Sequence, residues 1–151
     1  MPPVAPPLMI QAAFFVVLLF AASVIDIRKR IIPDSICALI ALAGLICFSP
    51  AKPLGTLAAL PLLVPAVCKE GSIGGGDIKL TAACGLVLGI KGGIAGLVIG
   101  LVVMLLYYAG SQATGWLRRD KIRKKNKAAL PMAPFLSIGY MAAYIIMNTG
   151  I

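Results

Sequence analysis

The chain carries five acidic residues, fourteen Lys and Arg, and no histidine. Histidine-dependent chemistry is excluded at once: no Ser-His-Asp triad, no Cys-His dyad and no HExxH zinc site can be built. Proton transfer falls to the carboxylates Asp26, Asp34, Glu70, Asp77 and Asp120. Two carboxyls held face to face can share one proton, because like charges at short range do not both ionise easily. The ionised member then acts as base on a water while the protonated member polarises a carbonyl. That is amide hydrolysis without histidine, serine or metal. The cysteines, Cys37, Cys47, Cys68 and Cys84, form no CxxC pair and no zinc-ligand spacing. They are read as small buried hydrophobes, and no metal site is expected.

The elements that must position these acids are apolar. Of 151 residues, 60% are hydrophobic and 13% charged, and the mean hydropathy is +1.00. This balance argues against a soluble globular enzyme, since too little polar surface exists to cover the apolar mass. The expected fold is all-α: a polytopic integral membrane protein, one domain over 1–151, with no soluble domain. Apolar runs separated by charges or by Pro and Gly predict six membrane helices, at 8–25, 35–48, 54–68, 78–90, 92–109 and 134–147. The first and fifth are comfortable spans; the others are short against the usual ~20 residues. The opening MPPVAPP lacks the basic n-region of a signal peptide, so the first helix is expected to be retained.

The positive-inside rule orients the bundle. With six crossings and the N-terminus outside, every Lys and Arg except Lys52 and Lys91 is cytoplasmic. Most of them form the cluster Arg118, Arg119, Lys121, Arg123, Lys124, Lys125 and Lys127, in a loop expected at about 111–131. That cluster is read as a topology anchor, with anionic lipid headgroups as its alternative partner. Nucleic acid is not expected, because only Trp116 stands nearby for base stacking.

In this orientation Asp26 ends the first helix and Asp77 begins the fourth, both on the cytoplasmic side. Two of the five acids therefore share one depth. Acids at membrane segments are costly and point to function. Each also has a plainer reading. Asp77, after Gly74, Gly75 and Gly76, can cap the fourth helix. Asp26 can be an interfacial charge paired with Arg28 or Arg30. Asp34, after Pro33, reads as the cap of the second helix. Glu70 can pair with Lys69 or Lys79, or bind a basic substrate segment. Asp120 reads as a solvated counter-charge. The three glycines suit a loop along which an extended peptide could lie.

Further glycines recur at helical spacing: Gly85 and Gly89, then Gly92, Gly96 and Gly100. They predict a tight hairpin of the fourth and fifth helices, or homo-oligomerisation through the fifth. Pro61 and Pro65 predict kinks in the third.

The sequence resembles the type IV prepilin peptidases, aspartic membrane proteases of the GxGD class. The resemblance rests on VIDIRKRIIPDSI at 24–36 and EGSIGGGDIKL at 70–80, the second holding GxGD as Gly74, Gly75, Gly76 and Asp77. It implies catalytic aspartates at Asp26 and Asp77. Pro33, Asp34, Glu70 and Lys79 match positions that recur around them and are expected to support the site or bind substrate. The implied partner is a prepilin or pilin-like precursor, cut between a basic leader and its hydrophobic helix at the cytoplasmic face of the inner membrane. Larger family members also N-methylate the new terminus and carry a cytoplasmic domain with paired CxxC motifs. This chain lacks those cysteines and starts almost at the core, so a peptidase-only form is expected, with no cofactor and no zinc. The competing class is a small transporter or ion-conducting protein using Asp26 and Asp77 as ligands or proton relays. A third reading is an assembly subunit that packs through its glycine faces.

Overall fold

The computed structural model describes residues 6–46, 49–50, 52–68, 74–117 and 131–149. All its regular elements are helical: α1 (Pro6–Lys29), α2 (Asp34–Ile46), a 3-10 helix (Lys52–Ala59) running into α3 (Leu60–Cys68), α4 (Gly75–Leu117) and α5 (Ala133–Thr149). Among the described residues there is no strand. Two helices, Leu8–Lys29 and Gly75–Gln112, are long and apolar enough to cross a membrane; Asp34–Ile46, Lys52–Cys68 and Ala133–Asn148 are shorter and apolar.

α1 extends beyond its apolar run because Arg28 and Lys29 suit the negative end of a helix. Asp26 therefore lies within the last turn rather than past it. The helix ends where Arg30 takes φ 54°, and the Arg30 N–H donates to the Asp26 carbonyl at 2.8 Å. Residues 31–33 then turn the chain into α2.

The predicted fourth and fifth helices are one helical run broken only at Gly89 (φ 75°, ψ 179°). The break reverses the chain. Eight helical residues would separate Gly85 from Gly93 by about 12 Å, yet a Cβ on Gly93 would lie 3.1 Å from the Gly85 Cα. The expected hairpin is present. Its glycines, however, serve other partners as well. Gly55 of the 3-10 helix and Gly85 approach so closely that a Cβ on either would strike the other's backbone. A Cβ on Gly139 of α5 would likewise strike Gly96 and Gly100. Small residues are here the condition for close backbone approach. The last helical turns of α4 pass Gly110 and continue to Leu117, covering the start of the expected loop. No proline interrupts there, and Ser111 and Gln112 bond back to Tyr108. Residues 118–130, including Asp120 and the basic cluster, lie outside the described residues.

The third segment changes form where prolines predicted a kink: it is 3-10 to Ala59 and α-helical from Leu60, just before Pro61. Pro65 lies inside α3.

Contacts fix the directions. Gln11 Nε2 of α1 donates to the Ala43 carbonyl of α2 at 2.9 Å. α5 runs against α1: the rings of Phe15 and Tyr144 stand 5.5 Å apart, and Ser23 donates to Ser137 at 2.8 Å. Ser137 in turn donates to the Leu19 carbonyl at 3.2 Å. α2 runs alongside the first arm of α4, with Asp34 beside Lys79 at one end and Gly44 beside Leu86 further on. The core holds Phe15, Leu19, Ile40, Leu80, Leu136 and Tyr140, while Phe14, Val17, Phe20, Leu42, Val64 and Leu105 face outward. Apolar inside and apolar outside is a surface suited to lipid. Cys37 and Cys84 are buried as expected; Cys68, the last residue of α3, is exposed, which corrects the reading for that residue, and Cys47 lies outside the described residues.

Candidate active site

Asp77 lies in the first turn of α4, and its backbone N–H donates to the Gly74 carbonyl at 3.0 Å. Gly74 therefore occupies the capping position that the sequence offered to Asp77, and the Asp77 side chain is left for other work. It is buried at 9% exposure, and its Oδ1 has no hydrogen-bond partner.

Asp26 is buried at 7% exposure. Its Oδ2 accepts a 3.1 Å hydrogen bond from the backbone N–H of Ala133, the first residue of α5. A helix start carries unsatisfied N–H groups, and α1 supplies one acceptor across the bundle. The pairing expected with Arg28 or Arg30 is not what holds it: both of those side chains are exposed, and no ion pair to Asp26 forms among the described residues. The Ser23–Ser137 pair sits one turn away on the same seam and locks α1 against α5 at this level. The fold places Asp26, in the last turn of α1, and Asp77, in the first turn of α4, at the same end of the bundle.

A cleft of about 330 Å³ opens over Asp77, lined by Arg30, Ile31, Ile32, Asp34, Gly74–Gly76 and Lys79. The three glycines differ in role. A Cβ on Gly76 would meet the buried Ile32 Cβ at 3.0 Å, and one on Gly74 would meet Asp77 Oδ2 at 3.1 Å, whereas Gly75 has nothing within 4 Å. Both specified glycines of G-x-G-D are thus constrained by contact, and the x position is open. Gly75 is exposed to the cleft, leaving room for an extended chain.

Asp34 is the first residue of α2, yet its carboxyl is taken by Lys79, whose Nζ lies 2.8 and 2.7 Å from the two oxygens. Lys79 therefore pairs with Asp34. Both members are exposed, so the bridge borders the cleft without stabilising the fold much. Pro33 contributes its carbonyl, which accepts from the Ile36 N–H at 3.0 Å. Glu70 and Lys69 lie outside the described residues. Among the described residues no three His, Cys, Asp or Glu converge to hold a metal. Sequence reasoning missed Ala133 and Ile32, whose contributions are a backbone N–H and a packing surface; neither carries a residue-type signal.

Comparison with known proteins identifies the family. The model of the type IV leader peptidase family matches residues 13–109, a stretch that includes Asp26, the glycine turn and Asp77. The chain belongs to that family. A prepilin leader peptidase/N-methyltransferase of Bacillus subtilis (strain 168) is 35% identical over 142 residues, covering 89% of this chain and 54% of that protein. The chain thus spans about half the length of the curated relative it matches. No solved structure matches it significantly.

Proposed function

We propose that this chain is an aspartic endopeptidase that removes the leader from type IV prepilin or pilin-like precursors at the cytoplasmic membrane face. The observation that carries the reading is the pair of buried carboxyls, Asp26 from α1 and Asp77 from α4, at one end of an otherwise apolar bundle beside a glycine-lined cleft. Asp26 and Asp77 are the catalytic dyad. The ionised member takes a proton from a water, which attacks the scissile carbonyl. The protonated member hydrogen-bonds the carbonyl oxygen, and a proton passes to the leaving amine. Gly74, Gly75 and Gly76 admit the extended substrate; Pro33, Asp34, Glu70 and Lys79 support the site or engage the leader. No cofactor enters this scheme.

The membrane arrangement supporting it has six crossings, both termini outside, and the dyad on the cytoplasmic side of the inner membrane. A precursor's junction between basic leader and apolar helix lies at the same depth, because its charges stay in water and its helix stays in lipid. The chemistry described ends at peptide cleavage, without methylation of the new terminus.

The experiment is reconstitution in proteoliposomes with a pilin-like precursor, read by mass spectrometry of both products. The expected result is one cut between leader and apolar helix, leaving an unmethylated amino terminus. Intact precursor accompanied by ion flux would overturn the reading in favour of a transporter.

A further inference from the structure

Among the described residues, three side-chain polar atoms are buried without a hydrogen-bond partner: Asp77 Oδ1, the Thr81 hydroxyl and the Tyr140 hydroxyl. Thr81 and Tyr140 are completely buried. Leaving such groups unbonded is unfavourable, and three together in an apolar bundle invite a common explanation. Asp77 and Thr81 are one turn apart on α4, a spacing that puts both side chains on one face. Tyr140 points across from α5 with its phenol toward Thr81, short of a well-formed bond. Its ring is fixed in place, since even a methyl group on Gly96 would strike it.

Thr81 is also unusual for a helical threonine. Such a hydroxyl commonly turns back to the carbonyl three or four residues earlier; that of Thr81 makes no such bond. It is available to a side chain. Asp77 offers an acceptor on the matching side: its Oδ2 lies beside Gly74, at the cleft, and its Oδ1 is the oxygen left without a partner.

We infer that Thr81 and Tyr140 are positioning residues for Asp77. The Tyr140 hydroxyl donates to Thr81, and the Thr81 hydroxyl donates to Asp77 Oδ1. This string fixes the rotation of the carboxyl and reserves Oδ2 for the water and the substrate. The inference rests on the proposal that Asp77 takes part in cleavage.

The test compares Thr81→Val, Thr81→Ser, Tyr140→Phe and the Val/Phe double variant in the leader-removal assay, with thermal melting as a check on folding. Thr81→Val is expected to lower kcat about tenfold with KM within about twofold, the worth of one hydrogen bond to a charged group, and Tyr140→Phe, which removes only the support of that hydroxyl, about threefold. The double variant should lose little more than Thr81→Val, and Thr81→Ser should recover most of the activity. Unchanged kcat in Thr81→Val and Tyr140→Phe would overturn the inference, as would Thr81→Ser being as impaired as Thr81→Val, which marks a packing role. A second readout is independent of turnover. The infrared carboxyl stretch that disappears in Asp77→Asn should move to higher frequency in both hydroxyl deletions; an unmoved band contradicts the string. A wild-type protein that cleaves nothing speaks against the peptidase reading, while the infrared comparison still decides the hydrogen bonds.

Discussion

At the residue scale, the two aspartates differ in what else they do. Asp26 holds the first N–H of α5 as well as facing the cleft end of the bundle. Asp26→Asn keeps an oxygen acceptor for Ala133, whereas Asp26→Ala removes it. Asp26→Ala is therefore expected to be less stable than Asp26→Asn by about 1 kcal/mol, the usual worth of a helix-start acceptor, and differential scanning fluorimetry in detergent measures it. The glycine turn makes a second contrast. Gly75→Ala meets nothing within 4 Å, while Gly76→Ala brings a methyl to 3.0 Å from Ile32 Cβ. Gly75→Ala should melt like the wild type, and Gly76→Ala should be destabilised by about 1–3 kcal/mol, the range for overpacking. Equal behaviour of the two would contradict the packing. Asp26 and Asp77 were legible in the sequence because acids are so few and histidine is absent. The partners of Asp26 and the Asp34–Lys79 pairing were not, because they depend on which helix ends meet. Thr81 left a faint signal in its i+4 spacing from Asp77; Tyr140 left none.

At the scale of elements, one residue separates a hairpin from a single long helix. Gly89 has φ 75° and ψ 179°, a region open essentially to glycine alone, and a side chain there costs about 1–3 kcal/mol. Gly89→Ala should lose that much stability although no neighbour lies within 4 Å of the added methyl, so the effect isolates backbone conformation from packing. Gly139→Ala is the converse case. Its methyl would strike the backbone of Gly96 and Gly100, which cannot rotate aside, so α5 must move away from α4. A lower melting temperature and reduced cleavage are both expected, since α5 also carries the N–H that holds Asp26. The hairpin was legible from the run of glycines after Gly85. The meeting of Gly55 with Gly85 and of Gly139 with Gly96 was not, because GxxxG spacing identifies a close-packing face without naming its partner.

At the scale of the whole molecule, the orientation proposed from the positive-inside rule makes the Asp26–Asp77 end of the bundle cytoplasmic and turns Gly89 outward. In a background stripped of native cysteines, Lys91→Cys should react with a membrane-impermeant maleimide on intact cells, and Arg28→Cys only after permeabilisation. The reverse pattern would contradict the topology. The helical class and apolar character were plain from composition, whereas the number of separate helices was not, because hydropathy cannot distinguish a break at one glycine from a loop. Everything proposed for this bundle converges on two carboxyls sharing a proton over one water. The most direct measurement is leader removal by Asp26→Asn and Asp77→Asn, each first shown to melt like the wild type. Loss of cleavage in both folded variants is the expected result; full cleavage by either would contradict the dyad.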